Sequence, residues 1–274
     1  MLYHLAAFPE GDAGGNPAGV WVGDELPDAL TMQRIAADVG ASETAFIAPA
    51  TGSRRTIRYF SPEIEVSFCG HATIASGVVL GRTDGQGTYL LDTPVGEIPV
   101  TASENAGAMQ ATLRSVETRQ ETIPDESLAQ ALRCLGWSCG DLDDSLPPIK
   151  AWAGAWHYVI AVAEKTRLER LDYDFEALKA LMQRNGLTTL QLVWRESEHL
   201  FHSRNPFPVG GVREDPATGA AAAALGGYLR DARLVAAPFE FEVLQGESMG
   251  MPSRIFVNVP ADGGIIVRGA ARSI

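Results

Sequence analysis

The chain has 274 residues, of which 46% are hydrophobic, and a formal net charge of −12. This length suits one large domain or two domains of about 100–150 residues each, and the apolar content is enough for a hydrophobic core. The negative charge argues against nucleic acid and anionic membranes as partners, because both are bound by clustered lysine and arginine.

The first part of the chain alternates apolar runs with turns that carry glycine or proline, which is typical of short β-strands. Helical spacing of apolar residues predicts helices over Pro27–Val39, which Gly40 ends, and from His71 to about Leu80. Turns are predicted at Pro94–Gly96 and Asn105–Gly107. The predicted strands are Tyr3–Phe8, Ala18–Val22, Thr44–Ile47, Thr56–Phe60, Tyr89–Asp92, Gly96–Thr101 and Met109–Leu113.

A polar, strand-poor stretch from about Ser115 to Pro124 is predicted to be a linker. The elements beyond it again alternate in type. The predicted helices are Glu126–Leu135, Phe175–Arg184 and Ala217–Asp231, and the predicted strands are His157–Val162, Leu190–Trp194, Leu200–Arg204, Phe239–Leu244, Ile255–Val259 and Gly264–Arg268.

The order of elements repeats along the chain. Met32-Gln33-Arg34 recurs as Met182-Gln183-Arg184, an offset of 182 − 32 = 150, and Gly70 matches Gly219 at an offset of 149. Matched offsets and matched order favour two similar halves, although an ordinary α+β chain can show such a coincidence.

We therefore predict two halves, residues 1–115 and 116–274, with the last strand free to return to the first half. Each half is predicted to wrap strands around one central helix, near 71–82 and near 217–231. A helix inside a curved sheet has room for little side chain, and alanine has the best helix propensity, which explains the run AAAAALGG.

Two glycine-bearing turns each open one of these helices, as FCGHAT over 68–73 and as EDPATGA over 214–220. The N-terminus of a helix carries free backbone N–H groups and is a natural anion site. We therefore expect a small anionic substrate bound at two helix ends.

Three polar residues at helix or strand starts are candidates for chemistry. Glu43 lies among small and apolar residues, where partial desolvation would suit general acid–base work; the alternative is a solvated loop glutamate. His71 lies at a helix N-terminus, which favours a neutral imidazole. It could contact the substrate; the alternative is a structural histidine. Asp215 with Pro216 fits a helix-capping arrangement, and its second oxygen could still contact a ligand.

The three cysteines are Cys69, Cys134 and Cys139. This odd, sparse set is not a disulfide framework, and CLGWSC matches no common zinc pattern. Cys69 invites comparison with racemases that use two thiols, because a helix N-terminus stabilises a thiolate. The second turn has Pro216 in the corresponding place, so a buried thiol is the alternative.

Several common signatures are missing, among them the glycine-rich nucleotide motifs and the serine-nucleophile motif. His199 and His202 would point to opposite faces of a strand. We therefore expect no metal and no organic cofactor. The N-terminus lacks a basic segment followed by an apolar stretch, and no run reaches the ~18 apolar residues of a membrane span, so a cytoplasmic protein is expected.

Four segments together resemble the phenazine-biosynthesis PhzF-like isomerase family, in the diaminopimelate-epimerase-like superfamily. They are AFPEGDAGGNPAGV near the start, GASETAF around Glu43, RYFSPEIEVSFCGHATIA around His71 and GGVREDPATGAAAAALGGYL around Asp215. The segments span the whole chain and stand in the family's order, which makes the resemblance specific.

The resemblance implies an α+β fold with two similar halves, each a β-roll or barrel around a central helix, and an active-site cleft between them. It also implies a homodimer that needs no cofactor. The defining enzyme of the family moves a proton within trans-2,3-dihydro-3-hydroxyanthranilate during phenazine synthesis.

Carried over by motif, Glu43 resembles the proton-shuttling general acid/base, while His71 and Asp215 resemble groups that bind and orient substrate. Asn16, in the first segment, is a further candidate for substrate binding. The backbone N–H groups expected to hold the substrate carboxylate are those around Gly70, Ala72, Gly219 and Ala220. The phenazine enzyme has a serine where this chain has Ala220, so one hydroxyl contact is lost and a different substrate becomes possible.

Three hypotheses follow from these residues. The first is a cofactor-independent isomerase of a small carboxylic acid or cyclic amino acid, with Glu43 as the base. The second is a racemase or epimerase that depends on Cys69. The third is a non-catalytic ligand-binding protein with the same fold.

Overall fold

A computed structural model describes residues 1–94, 96–105 and 107–274. Its helices are α1 (Ala29–Val39), α2 (Gly70–Thr83), α3 (Asp125–Leu135), α4 (Lys165–Glu169), α5 (Phe175–Asn185) and α6 (Gly219–Asp231). Its strands are β1 (Leu2–Ala7), β2 (Asn16–Val22), β3 (Glu43–Pro49), β4 (Arg54–Phe60), β5 (Glu65–Val66), β6 (Gly87–Thr93), β7 (Gly96–Asn105), β8 (Ala108–Arg114), β9 (Arg119–Glu121), β10 (Ile149–Trp152), β11 (Trp156–Val162), β12 (Thr189–Ser197), β13 (Leu200–Arg204), β14 (Phe239–Gln245), β15 (Ser253–Val259) and β16 (Ile266–Ser273). The predicted turns through Val95 and Ala106 lie outside the described residues.

The chain divides into two compact units. The first comprises Met1–Arg114 and Arg268–Ile274, and the second comprises Ser115–Val267. Among the described residues, no helix combines the length and the apolarity that crossing a membrane requires.

In the first unit, eight strands of the described chain form a closed ring around α2. Their order is β1, β2, β3, β4, β6, β7, β8 and β16, and β16 pairs back with β1. The residues of α2 from His71 to Gly81 are all buried. A Cβ atom at Gly77 would lie only 2.6 Å from Cγ1 of Val100 and 2.7 Å from Cβ of Ala111. The barrel therefore encloses its helix so tightly that small residues are required.

Helix α1 packs on β3 and β4 of this unit and ends shortly before β3 begins. Asp28 caps its start by accepting a 3.0 Å hydrogen bond from the backbone N–H of Thr31. Met32 is buried against Phe46. Gly40 ends the helix in the left-handed conformation with φ 67°, as predicted, and the chain then turns directly into β3.

In the second unit, the strands follow the order β15, β14, β13, β12, β11, β10 and β9. Helix α6 packs against β9, β10, β11, β12 and β15, and its residues Ala221–Leu229 are buried. Helices α3 and α5 belong to a separate core cluster with Tyr158, Ile160 and Leu192. This unit too has the predicted central helix of alanine and glycine.

The linker predicted from Ser115 to Pro124 is wrong in part. Arg119–Glu121 form β9, which pairs with β10 through Lys150 opposite Glu121. The two charged groups lie 3.2 Å apart, and the guanidinium of Arg119 lies over the ring of Trp152 at 5.9 Å. These partners are about 30 positions away, so a polar edge strand of three residues carries no local signal.

Two boundaries near the ends of elements also differ from the prediction. Helix α6 begins at Gly219, and its N-cap residue is Thr218, so Asp215 lies outside the cap position. Strand β16 runs over Ile266–Ser273 because it pairs with β1 as far as Ser273. In both cases tertiary contacts, and not local propensity, set the boundary.

Candidate active site

Glu43 is the first residue of β3 and pairs with Ala18 of β2 in a parallel ladder. Its side chain is 17% exposed. The carboxyl group is therefore largely desolvated and yet accessible, as a group that exchanges protons with a substrate must be.

His71 is the second residue of α2 and is 7% exposed. Its Nε2 atom lies 3.5 Å from Oε2 of Glu43 and 3.2 Å from the hydroxyl of Ser42. Sγ of Cys69 lies 3.4 Å from Nδ1 and 3.9 Å from Nε2 of the same ring. One imidazole thus contacts a carboxyl group, a hydroxyl group and a thiol within the first unit.

Buried hydrogen bonds hold the start of α2 in place. The carbonyl of Cys69 accepts hydrogen bonds from the backbone N–H of Thr73 at 3.0 Å and from its hydroxyl at 2.6 Å. The hydroxyl of Tyr59, 2.7 Å away, therefore donates to the Thr73 oxygen. Burial raises the pKa of Tyr59 well above its ordinary value, so this phenol stays protonated.

The first turn of α2 has no side-chain cap among the described residues, because Cys69 occupies the N-cap position without such a hydrogen bond. Gly70 and Ala72 lie in this first turn, and the start of a helix is the place where backbone N–H groups lack partners within the helix. Asn16 is 1% exposed at the start of β2, where it pairs with Ala7.

In the second unit, Asp215 lies in a loop that leads into α6. Its Oδ2 atom accepts a 2.5 Å hydrogen bond from the hydroxyl of Thr218. The amide of Gln245 braces the same loop, since Nε2 donates to the carbonyl of Asp215 at 2.6 Å and Oε1 accepts from the N–H of Thr218 at 3.2 Å. Gly219 and Ala220 follow as the first residues of α6, which has no side-chain cap at Thr218.

A network of buried polar groups connects this loop to the strands next to it. The N–H of Asp215 donates to the carbonyl of Asn205, whose side chain donates to the hydroxyl of Thr189 at 3.3 Å. Nδ1 of His157 lies 2.8 Å from the same hydroxyl. Burial lowers the pKa of His157 to about 4, so the ring is neutral near pH 7.

Two residues of these sites were missed in the sequence. Ser42 directly precedes Glu43. A hydroxyl next to a candidate base could have been recognised in the sequence as a possible hydrogen-bonding group of the site. Gln245 ends an apolar strand and gave no signal, because its three hydrogen bonds reach a loop about 30 positions earlier.

Comparison with known families decides the kind of protein to which these sites belong. A family model described as phenazine biosynthesis-like protein matches residues 5–271. The chain belongs to this family. The match includes every residue singled out above, and it confirms the resemblance read from the four segments.

Individual members agree with this assignment. An uncharacterized isomerase of Deinococcus radiodurans is 32% identical to this PhzF-like chain over 270 residues, which cover 94% of the chain and 86% of the relative. The crystal structure of a phenazine biosynthesis protein of the PhzF family from Bacillus anthracis matches with a TM-score of 0.88 and 25% identity, covering 100% of this chain and 96% of that one.

The fold extends to more distant enzymes. A hydroxyproline epimerase from Agrobacterium vitis matches with a TM-score of 0.67 at 11% identity, covering 100% of this chain and 91% of that one. At this identity the likeness shows the fold alone. The protein is thus an isomerase of the PhzF-like family with the diaminopimelate-epimerase-like fold.

Proposed function

We propose that this PhzF-like isomerase moves a proton within a small carboxylic acid or cyclic amino acid, and that Glu43 is its general acid/base. The observation that carries the proposal is the contact of the largely buried Glu43 carboxyl group with Nε2 of His71 at 3.5 Å. A desolvated carboxylate beside a polar, hydrogen-bonding ring is suited to take a proton from carbon and to return it.

The proposed reaction moves one proton and one double bond. The Glu43 carboxylate takes a proton from one substrate carbon, and the electron pair of the broken C–H bond enters the adjacent π system. The resulting carboxylic acid then donates the same proton to another carbon on the same face. No electrons are gained or lost, so the step requires no redox cofactor, and we propose that the enzyme is cofactor-independent.

In this proposal, substrate binding uses the uncapped starts of α2 and α6. A helix N-terminus stabilises an anion through free N–H groups and the helix dipole. His71 and Asp215 are assigned to orient polar groups of the substrate, and Asn16 is assigned as a further contact. The residues whose N–H groups would bind the carboxylate are Gly70, Ala72, Gly219 and Ala220.

The family's phenazine substrate is the first compound to test. Ala220 replaces the serine of the phenazine enzyme, which removes one hydrogen bond to a substrate hydroxyl or carboxylate. A neutral hydrogen bond contributes about 1 kcal/mol, or about fivefold in affinity. A small anionic substrate, a homodimer and a cytoplasmic location belong to the same proposal, and the family resemblance supports the homodimer.

A second candidate function is supported by the contact of Cys69 with His71. Sγ lies 3.4 Å from Nδ1, and an imidazole beside a thiol is a candidate acceptor of its proton. The thiolate would then remove an α-proton, as in a racemase. The second turn offers Pro216 and no cysteine, so this candidate lacks the thiol for the opposite face.

Proton NMR in D₂O with trans-2,3-dihydro-3-hydroxyanthranilate tests both candidates. We expect isomerisation or deuterium uptake with the wild type and a loss of at least about 100-fold in Glu43→Gln, as for removal of a general base. Glu63→Gln, at an exposed position, is the matched control and should leave the rate unchanged. Equal rates in wild type and Glu43→Gln would refute Glu43 as the base. If Cys69→Ser abolished exchange instead, the racemase would replace the isomerase.

A further inference from the structure

We propose that His202, on β13 of the second unit, is a positioning residue for the proposed reaction. Its ring holds Glu247, and Glu247 holds the segment that braces the Asp215 loop. The part of His202 in the reaction rests on the proposed role of Asp215 in substrate binding, whereas its effect on the loop can be measured without turnover.

The ring of His202 lies between two carboxyl groups. Nδ1 is 2.8 Å from Oε2 of Glu247, and Nε2 is 2.6 Å from Oε2 of Glu196. A carboxylate accepts hydrogen bonds and does not donate them, so both ring nitrogens carry a proton and the ring is an imidazolium. Charge-assisted hydrogen bonds of this kind are stronger than neutral ones, and His202 is only 5% exposed. The ring therefore fixes the position of Glu247 relative to β13.

The other cations close to Glu247 are engaged elsewhere. Arg204 and Lys165 line the same cavity as His202 and Glu247. The guanidinium of Arg204 donates from Nε to Oε2 of Glu214 at 2.8 Å, and Lys165 lies over an aromatic ring. Within the described part of the chain, His202 is thus the one cation that pairs with Glu247, and its loss leaves this carboxylate without an ionic partner.

Glu247 is connected to the Asp215 loop by a short and tightly packed segment. It lies two residues after Gln245, whose amide forms hydrogen bonds to both ends of that loop. Between them, Gly246 turns the chain out of β14 with a left-handed φ of 78°. A Cβ atom at Gly246 would lie 2.8 Å from the carbonyl oxygen of Pro216, so the backbone here touches the loop directly. Displacement of Glu247 would therefore disturb the loop through a side chain and through the backbone.

Glu196 is the matched control for Glu247. Both carboxyl groups bond to the same ring, and their side chains are exposed to a similar degree, 44% and 47%. Glu196 lies near the end of β12, whereas the Asp215 loop is connected through Asn205 to Thr189 at the start of that strand. Loss of the Glu196 bond should therefore weaken the ring's contacts without releasing the loop.

Two substitutions of His202 separate its two hydrogen bonds. The amide nitrogen of asparagine takes the place of Nδ1, and that of glutamine takes the place of Nε2. His202→Asn therefore keeps a donor to Glu247, and His202→Gln keeps a donor to Glu196. Circular dichroism of each variant checks that it is folded.

Amide hydrogen exchange measured by NMR tests the loop without any assay of turnover. The probe is the N–H of Thr218, which donates to Oε1 of Gln245. We expect its exchange to be about threefold to tenfold faster in His202→Gln and Glu247→Gln, within the range of coupling carried by packed networks. His202→Asn and Glu196→Gln should exchange at the wild-type rate. Equal rates in all four variants, or the opposite ranking, would overturn the positioning role.

Steady-state kinetics with trans-2,3-dihydro-3-hydroxyanthranilate test the part of His202 in the reaction. We expect KM to rise about threefold to tenfold in His202→Gln and Glu247→Gln, with kcat within about twofold of the wild type. Rescue of KM in His202→Asn would separate positioning from a merely structural role, which would affect both variants alike.

The two measurements distinguish failure of this inference from failure of the proposed function. Unchanged exchange at Thr218 in a protein whose turnover depends on Glu43 would refute the positioning role and leave the isomerase standing. Exchange that separates the variants in a protein without turnover that depends on Glu43 would refute the proposed function, and with it the part of His202 in the reaction.

Discussion

Nε2 of His71 lies 3.5 Å from Oε2 of Glu43, although the two side chains come from different kinds of element. Glu43 begins a strand of the first barrel, and His71 begins the helix inside it. Because the strand and the helix are both packed within one unit, the contact is fixed by the barrel core. Groups held on such elements are positioned more precisely than groups on loops.

Removal of the Ser42 hydroxyl should slow turnover moderately. It lies 3.2 Å from Nε2 of His71, and loss of a hydrogen bond of about 1 kcal/mol corresponds to a fall in kcat of about fivefold. We expect this result for Ser42→Ala, with KM nearly unchanged and with rescue in Ser42→Thr. The same substitution at exposed Ser53 is the control. An unchanged kcat in Ser42→Ala would show that Ser42 does not position His71.

Replacement of Gln245 should loosen the Asp215 loop. Gln245→Met keeps the side-chain length and removes three hydrogen bonds from a residue that is 1% exposed. We expect the free energy of unfolding to fall by about 1–3 kcal/mol and KM to rise, because buried partners lose their hydrogen bonds. Urea unfolding and steady-state kinetics measure the two effects. Gln183→Met, at an exposed position of α5, should change neither.

A methyl group at Gly77 should destabilise the first unit. The added Cβ would lie 2.6 Å from Val100 and 2.7 Å from Ala111, and such overpacking costs about 1–3 kcal/mol. The gain in helix propensity offsets about 1 kcal/mol of this cost. Gly226→Ala, whose neighbours lie at 3.1–3.3 Å, should be close to neutral. Urea unfolding that ranks the two variants in the opposite order would contradict the tight packing of α2.

Acid should weaken the second unit through His157. Burial lowers its pKa to about 4 from an ordinary value of 6.5, and Nε2 has no hydrogen-bond partner among the described residues. Between pH 6.5 and 4 the unfolded chain binds a proton that the folded chain does not. The free energy of unfolding therefore falls as pH decreases through this window, by about 3 kcal/mol in total, and this contribution is flat above pH 6.5.

His157→Gln removes this titration. Its free energy of unfolding should depend less steeply on pH between 6.5 and 4 than that of the wild type. Unfolding by urea at several pH values gives both profiles, and His4→Gln, at an exposed position, should retain the wild-type slope. Equal slopes in His157→Gln and the wild type would mean that His157 is not the group responsible.

The central helices could be predicted because the residues that favour them are adjacent in the sequence. Runs of alanine and glycine between β-like segments leave few structures other than a helix inside a curved sheet. The end of α1 at Gly40 was also readable, since a left-handed residue at a helix end favours glycine. The family motifs placed Glu43 and His71 on the elements where they are found.

What could not be predicted depends on pairing between distant residues. The polar strand at Arg119–Glu121 exists because Lys150 and Trp152 lie opposite it. The loop at Asp215 looked like a helix cap, whereas Gln245 braces it and the helix starts four residues later. In each case the deciding partner is about 30 positions away, beyond the reach of local patterns.

The closure of the first barrel by β16 sets an order for synthesis on the ribosome. Residues 115–267, the whole of the second unit, emerge before Arg268–Ile274, which complete the ring between β8 and β1. The second unit can thus fold before the first unit is closed. Until β16 is added, β1 and β8 of the first unit each have an unpaired edge, and an unpaired strand edge can pair with another nascent chain. The barrel that holds Glu43 and His71 is therefore completed only after the whole of the second unit has been synthesised.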